Sequence, residues 1–416
     1  MAVAITIGLN ALDGFDVLAI SFASPGIARE WGIDRSALGF VLSMELIGMA
    51  LGSILLGRSA DKLGRRRAIL GCLGVMSFGM IMTTAAKGIY DLSLWRIVTG
   101  LGIGGMLAAI NAVAAEFSSV RRRGLCVSLM AIGYPLGAVI GGSVAANLLK
   151  HSDWRVVFVL GACGTAQFIP LVVWFVPESI GWLCQRQPAG ALAQVNRTLA
   201  RMGHLAVATL PTRSTDENSR SIVDIFRHGM AKVTLLATLA YFLHITTFYF
   251  ILKWVPKIVA DMGFTAATAA SVLVWANVGG ATGGAVLGLL TLRFGLKQLT
   301  IAVLLLSVVM VAVFGLGQTD LTQLSFICAA TGFFTNAGVV GIYGILARAF
   351  PTHLRATGTG FAIGAGRAGA MVAPIAAGYL FQAGHSLEFV AIAMSAGSLI
   401  AAAALWFLPL NESASL

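Results

Sequence analysis

Asp13 and Asp16 stand about one helical turn apart inside the apolar run Met1–Arg29. Two carboxylates that close repel in a low dielectric, so the pair is suited to hold a proton and to give it up again. At about 100° per residue Asn10, Asp13, Asp16, Ser21 and Ser24 share one broad arc, which is expected to face a polar interior because lipid penalises every member. Either the two acids carry protons, or they are a structural pair satisfied by a neighbouring arginine or by backbone groups. Arg367 lies near the middle of another apolar run. A guanidinium there is costly unless an anion answers it, and a planar carboxylate fits its fork. That carboxylate is either a ligand or an aspartate of the chain itself.

Other polar groups interrupt apolar runs with less specific chemistry. Glu45 is a second candidate for proton exchange. His244 relays protons, bonds a ligand or fills a packing position, and Asn277 and Asn336 either bind a ligand or bridge helices. Arg96 lies near the end of its run, where interfacial anchoring competes with a coupling role. Tyr241, Phe248, Tyr249 and Trp254 are candidates to line an aromatic pocket, although aromatic residues also fill helix interfaces and membrane belts.

The elements that must position these groups follow from composition. Hydrophobic residues make up 58% of the chain and charged ones 11%, with a mean hydropathy of +0.88. A water-soluble chain of 416 residues would need a far larger charged surface. Apolar runs of about 20 residues, the length that spans a hydrocarbon core as helix, recur throughout. The reading is of an all-α integral membrane protein with twelve spans near 2–28, 37–57, 68–86, 92–115, 124–149, 155–176, 233–255, 266–290, 298–316, 321–347, 356–380 and 386–408. Met1–Arg29 lacks a small-residue cleavage site after a charged region, so it is expected to be a span and not a signal peptide. It starts almost at Met1 without a basic tail, and a longer natural chain is one reading of that.

Net charge is +11, which in another context suggests nucleic acid. Here the basic residues sit in particular loops, and topology explains them better. Arg58, Lys62, Arg65, Arg66, Arg67, Arg121, Arg122, Arg123, Arg293, Lys297, Arg348 and Arg355 gather on one side, which the positive-inside rule makes cytoplasmic together with both termini. The five cysteines show no CxxC or histidine-paired spacing, so no metal site and no cofactor is expected, and packing is their expected role. No nucleophile–base pair or cofactor motif suggests an enzyme.

The halves repeat. Gly57–Arg66 (GRSADKLGRR) recurs as Gly288–Lys297 (GLLTLRFGLK), Thr99-Gly100 as Thr331-Gly332 and Arg123 as Arg355, all at an offset of about 231 positions. His244 stands at that offset from Asp13. The expected organisation is a six-helix bundle over 1–183, a polar cytoplasmic linker over 184–231 with a short amphipathic stretch around Leu192, Val195 and Leu199, and a second six-helix bundle over 232–416.

Gly57-Arg58-Ser59-Ala60-Asp61-Lys62-Leu63-Gly64-Arg65-Arg66 resembles the loop signature of the major facilitator superfamily. Arg96-x-x-x-Gly100-x-Gly102, Gly133-Tyr134-Pro135-Leu136-Gly137, Pro177-Glu178-Ser179 and Phe350-Pro351-Thr352 with Arg355-Ala356-Thr357-Gly358 resemble further motifs of that family, over nearly the whole chain. Asp13-Gly14-Phe15-Asp16, Pro25-Gly26-Ile27, Trp31-Gly32 and Gly364–Gly369 resemble its aromatic acid:proton symporter branch. The resemblance implies the major facilitator fold, two pseudo-symmetric bundles in the inner (plasma) membrane, and uptake of an organic, aromatic carboxylate with protons by alternating access. The alternatives are a facilitator for another organic anion or a polyol, and a non-transporting receptor for such ligands. Asp13, Asp16 and Glu45 are then the expected proton-coupling residues, and Arg367, His244, Asn277 and Asn336 the substrate-binding ones. Gly57, Asp61, Gly64, Arg65, Arg66 and Arg96 form the expected conformational latch, with Leu292 where the second copy would carry the Asp. The expected partners are a small organic acid, protons and membrane lipid, not nucleic acid, and the expected acting unit is a monomer.

Overall fold

In hydrocarbon every backbone N–H and C=O must find its partner within its own segment, so uninterrupted apolar runs fold as helices. The computed structural model describes residues 1–57, 62–119, 123–211, 222–227, 230–351 and 354–409. Among them run α1 (Ala2–Trp31), α2 (Arg35–Leu55), α3 (Arg65–Thr84), α4 (Ile89–Glu116), α5 (Arg123–Leu148) and α6 (Arg155–Phe175). Two short helices follow, α7 (Ile180–Arg186) and α8 (Ala191–Arg201), and a 3-10 turn at Ile222–Phe226. The second set is α9 (Met230–Asp261), α10 (Ala266–Leu290), α11 (Leu296–Gly315), α12 (Leu321–Ala349), α13 (Arg355–Gln382) and α14 (Leu387–Trp406). All but α7 and α8 are long and apolar enough to cross a membrane, which makes twelve candidate spans as expected. The largest boundary difference is at α9, which runs on to Asp261, where Lys257 pairs with Asp261 one turn away and supports the last turn.

Glycines set the closest helix crossings, and they do so twice. A Cβ on Gly48 would lie 2.3 Å from the Ile97 carbonyl oxygen, and one on Gly52 2.1 Å from that of Leu101, so α2 and α4 touch backbone to backbone. The same crossing recurs at the repeat offset between α10 and α12, where a Cβ on Gly279 would lie 1.8 Å from the Ala329 oxygen and one on Gly283 2.1 Å from that of Phe333. Likewise a Cβ on Gly137 of α5 would lie 1.6 Å from the Ala11 oxygen of α1, and one on Gly369 of α13 2.3 Å from the Phe242 oxygen of α9. Small residues at crossings are how helices associate in lipid. The internal repeat is therefore a repeat of contacts as well as of letters.

The chain divides into two compact units. One holds Met1–Val17, Ile47–Gly137 and the described part of Phe158–Ser219; the other holds Leu18–Leu46, Ala138–Val157 and the described part of Arg220–Leu416. In the first unit α7 and α8 fold over a small core of Leu183, Ala191 and Val195, with Leu199 packed against it. Burial in that core, aided by nearby Glu116, pushes the Cys184 thiol above its ordinary range, which suits a packing role.

Candidate functional site

α1 carries Asp13 and Asp16 into the interior of the first unit, 2% and 0% exposed. Gly14 between them explains the local sequence: a Cβ there would lie 1.9 Å from the Tyr134 carbonyl oxygen. Asn10 Nδ2 fastens the same crossing by donating to the Met130 carbonyl at 2.7 Å. At Asp16, Thr165 Oγ1 donates to Oδ2 at 3.4 Å, and a Cβ on Gly161 would come within 2.9 Å of Oδ1, so α6 walls this acid in. Arg96 of α4 is fully buried. Its Nη2 donates to the main-chain oxygen of Asp16 at 3.1 Å, its Nη1 to Met80 Sδ at 3.3 Å, and its guanidinium lies 5.2 Å from the Phe158 ring centre. The unit thus buries two acids on α1 and one cation on α4, with the cation bonded to the main chain of Asp16.

The second unit holds the substrate-binding candidates, each in a different setting. Arg367 is half-buried in α13, directly after Gly366, whose Cβ would strike the Tyr241 ring. Tyr241 and Tyr343 share a hydroxyl–hydroxyl bond of 2.9 Å. His244 is fully buried, with Nδ1 2.9 Å from Ser398 Oγ and Nε2 2.8 Å from the Thr335 carbonyl oxygen. A carbonyl only accepts, so Nε2 carries hydrogen and Nδ1 accepts from the serine. Both nitrogens are engaged by the packing of α9 on α12 and α14. Asn277 Nδ2 donates to Leu273 of its own helix at 2.9 Å, whereas Asn336 Nδ2 bridges α12 to the Gly280 carbonyl of α10 at 2.6 Å.

Glu45 has the partner that sequence reasoning missed. Lys253 Nζ of α9 lies 3.6 Å from Glu45 Oε2, and both side chains are 0% exposed. Neighbouring contacts hold the same region: Ser43 Oγ donates to the Met371 carbonyl at 2.8 Å, Trp254 Nε1 to that of Pro374 at 3.2 Å, and Arg35 pairs with Asp261 at 3.1 Å. A lone lysine deep in an apolar run was the available signal, but its place four residues before Lys257 makes it look like a side chain reaching for the interface.

The latch residues other than Arg96 fall at the turn before α3 and in its first turn. Asp61 and Arg58 lie outside the described residues, and a Cβ on Gly57 would meet open space. Gly64 has φ +100, in the left-handed region that favours glycine, and a Cβ there would collide with the Glu178 carboxylate. Glu178 accepts from the Arg66 N–H at 3.1 Å, an acid at a helix N-terminus, while Arg66 Nη2 donates to the Val173 carbonyl and Arg65 is half-buried. Ser179 donates to Glu116 Oε1 at 3.0 Å and accepts from the Trp182 N–H, so the Pro177-Glu178-Ser179 motif stitches α3, α4 and α7 together.

Comparison with known proteins adds the family. The family model described as Major Facilitator Superfamily matches residues 6–223 and 234–416. The chain is 28% identical to the gallate transporter of Pseudomonas putida over 91% of its own length and 84% of that protein's. It is also 28% identical to the 3-(3-hydroxy-phenyl)propionate transporter of Escherichia coli, over 98% and 94%. Among solved structures it resembles a D-xylose-proton symporter with a TM-score of 0.75, at 18% identity and 100% and 99% coverage.

Proposed function

Because the chain belongs to the Major Facilitator Superfamily, we propose that it imports an aromatic carboxylate together with protons across the inner membrane, both termini lying in the cytoplasm. The observation that carries this reading is the buried Asp13–Asp16 pair with Arg96 beside it. The names of the relatives, transporters of gallate and of a hydroxyphenylpropionate, supply the substrate class. The halves 1–183 and 232–416, joined by 184–231, alternate the access of a midplane site. Arg367 binds the carboxylate with its planar fork, Asp13 and Asp16 take up and release protons, and Asn336 helps define the polar lining. Glu45 and Lys253 tie the second span to the seventh in one state of the cycle. The Gly64–Arg66 turn with Glu178 steadies the opposite end of the first half. His244 serves packing. No step makes or breaks a covalent bond of the substrate, so the protein is a carrier and not an enzyme.

Uptake by proteoliposomes tests this. With an inwardly directed proton gradient, labelled benzoate, 4-hydroxybenzoate or gallate should accumulate above equilibrium, and a protonophore should abolish the excess. Accumulation of a sugar or polyol in preference to every aromatic acid would refute the substrate class. Binding without counterflow would refute carriage itself.

A further inference from the structure

A cleft of about 730 Å³ opens between the first turns of α3, the end of α6 and the helices α7 and α8. Four arginines line it: Arg66, Arg67, Arg197 and Arg201. Glu178 is the single carboxylate among the described lining residues, and it is already engaged by the N–H groups of Arg66 and Ser179. Arg66 Nε is buried and donates to no acceptor among the described residues. The cleft is therefore strongly cationic, with donor capacity left over. Its other wall is apolar: Leu70 and Val173 belong to membrane-crossing helices, and Trp174 at the end of α6 is 67% exposed, as an indole at the polar–apolar boundary of a bilayer would be. α8 turns Val195 into its small core and leaves Arg197 and Arg201 exposed.

We propose that this cleft binds the headgroup of an anionic phospholipid. Guanidinium forks match a phosphate's oxygens in pairs, and basic recesses beside membrane helices take acidic headgroups. A free phosphate would satisfy the arginines alone. A lipid also covers the apolar wall with its acyl chains, and this is why the lipid is the occupant. The linker helix α8 is then anchored on the membrane surface through a bound lipid, a role separate from substrate carriage.

Native mass spectrometry of the purified full chain in detergent tests the proposal, titrating phosphatidylglycerol, phosphatidylcholine of matched chains, and inorganic phosphate. Phosphatidylglycerol should bind about thirty-fold or more tightly than phosphatidylcholine. Replacing Arg197→Gln and Arg201→Gln together should weaken phosphatidylglycerol about thirty-fold, roughly five-fold per arginine, and leave phosphatidylcholine unchanged. Equal retention of the two lipids by the native chain would overturn the proposal without recourse to any variant. Undiminished phosphatidylglycerol binding by the folded double variant would also overturn it. Displacement of the lipid by an equal concentration of inorganic phosphate would replace it with a free-anion site.

Discussion

Removing the Lys253 amine takes a nearby cation from the buried Glu45 carboxylate, and the cost can be worked from the geometry. At 3.6 Å and an effective dielectric of about 20, the pair attracts by roughly 4–5 kcal/mol. Removing one partner of a buried pair typically costs about 3–5 kcal/mol, whereas replacing both with apolar residues is often neutral. Lys253→Met alone, or Glu45→Leu alone, should therefore lower the unfolding midpoint of purified protein by about 6–10 °C, taking about 2 °C per kcal/mol for a body of this size. The double variant Glu45→Leu with Lys253→Met should recover most of that loss, giving a coupling energy of about 5 kcal/mol or more, the sum of the two single effects less the small cost of the double. Thermal unfolding of the four proteins in one detergent, with counterflow measured on each, completes the cycle. Additive single effects, or single variants within about 1 °C of the native chain, would show that the pair contributes no coupling and would refute the reasoning.

The remaining predictions concern the other parts of the site. Asp13→Asn and Asp16→Asn should each abolish accumulation driven by a pH gradient, with substrate exchange surviving in one of them; accumulation by both would make the pair structural. Arg367→Ala should lose about 2–5 kcal/mol of acid binding and should discriminate poorly between an aromatic acid and its neutral amide, with Arg367→Lys intermediate, as read by ligand binding to the purified variants. Gly14→Ala or Gly137→Ala should destabilise the fold by about 1–3 kcal/mol or more because each new methyl meets a backbone carbonyl, whereas Gly71→Ala, whose Cβ meets open space, should be neutral or slightly stabilising in the same thermal assay. Asp34 caps α2, and the Ala37 N–H followed by the Ser36 hydroxyl hold its carboxyl below the ordinary 3.8. Its contribution is therefore present above about 3.8 and is lost as pH falls through the lower folded value, so the Ala37 amide should exchange faster with solvent in acid, and Asp34→Ala should remove that pH dependence.

The spans were legible because apolar runs of membrane length have one structural outcome, and all twelve lie where hydropathy puts them. Asp13 and Asp16 were legible as buried for the same reason: a charge in such a run has to be housed. What surrounds each polar group was not legible. Glu45 reads as a lone acid because its partner lies on another helix, some two hundred residues away, at a position that also suits interfacial anchoring. His244 reads equally as a relay, a ligand contact or a packing residue, and the sequence does not show that the Ser398 hydroxyl and the Thr335 carbonyl lie at its two nitrogens. Gly14 reads as part of a motif, and only the Tyr134 carbonyl above it explains why a side chain is excluded. Pairings between helices depend on rotation and depth, which a single sequence leaves unspecified.

The glycine crossings also determine where movement cannot occur. A contact made backbone to backbone has no side chain to swing aside, so sliding α2 along α4 by a fraction of a turn would drive one Cα into the next carbonyl. The same holds for α10 on α12, for α1 on α5 and, through Gly369, for α13 on α9. Each of these pairs must travel as a single girder throughout any working cycle. Changes of shape are then left to joints where side chains make the contacts and can exchange partners. A cross-link placed within a girder should leave turnover intact, and one placed across a joint should stop it.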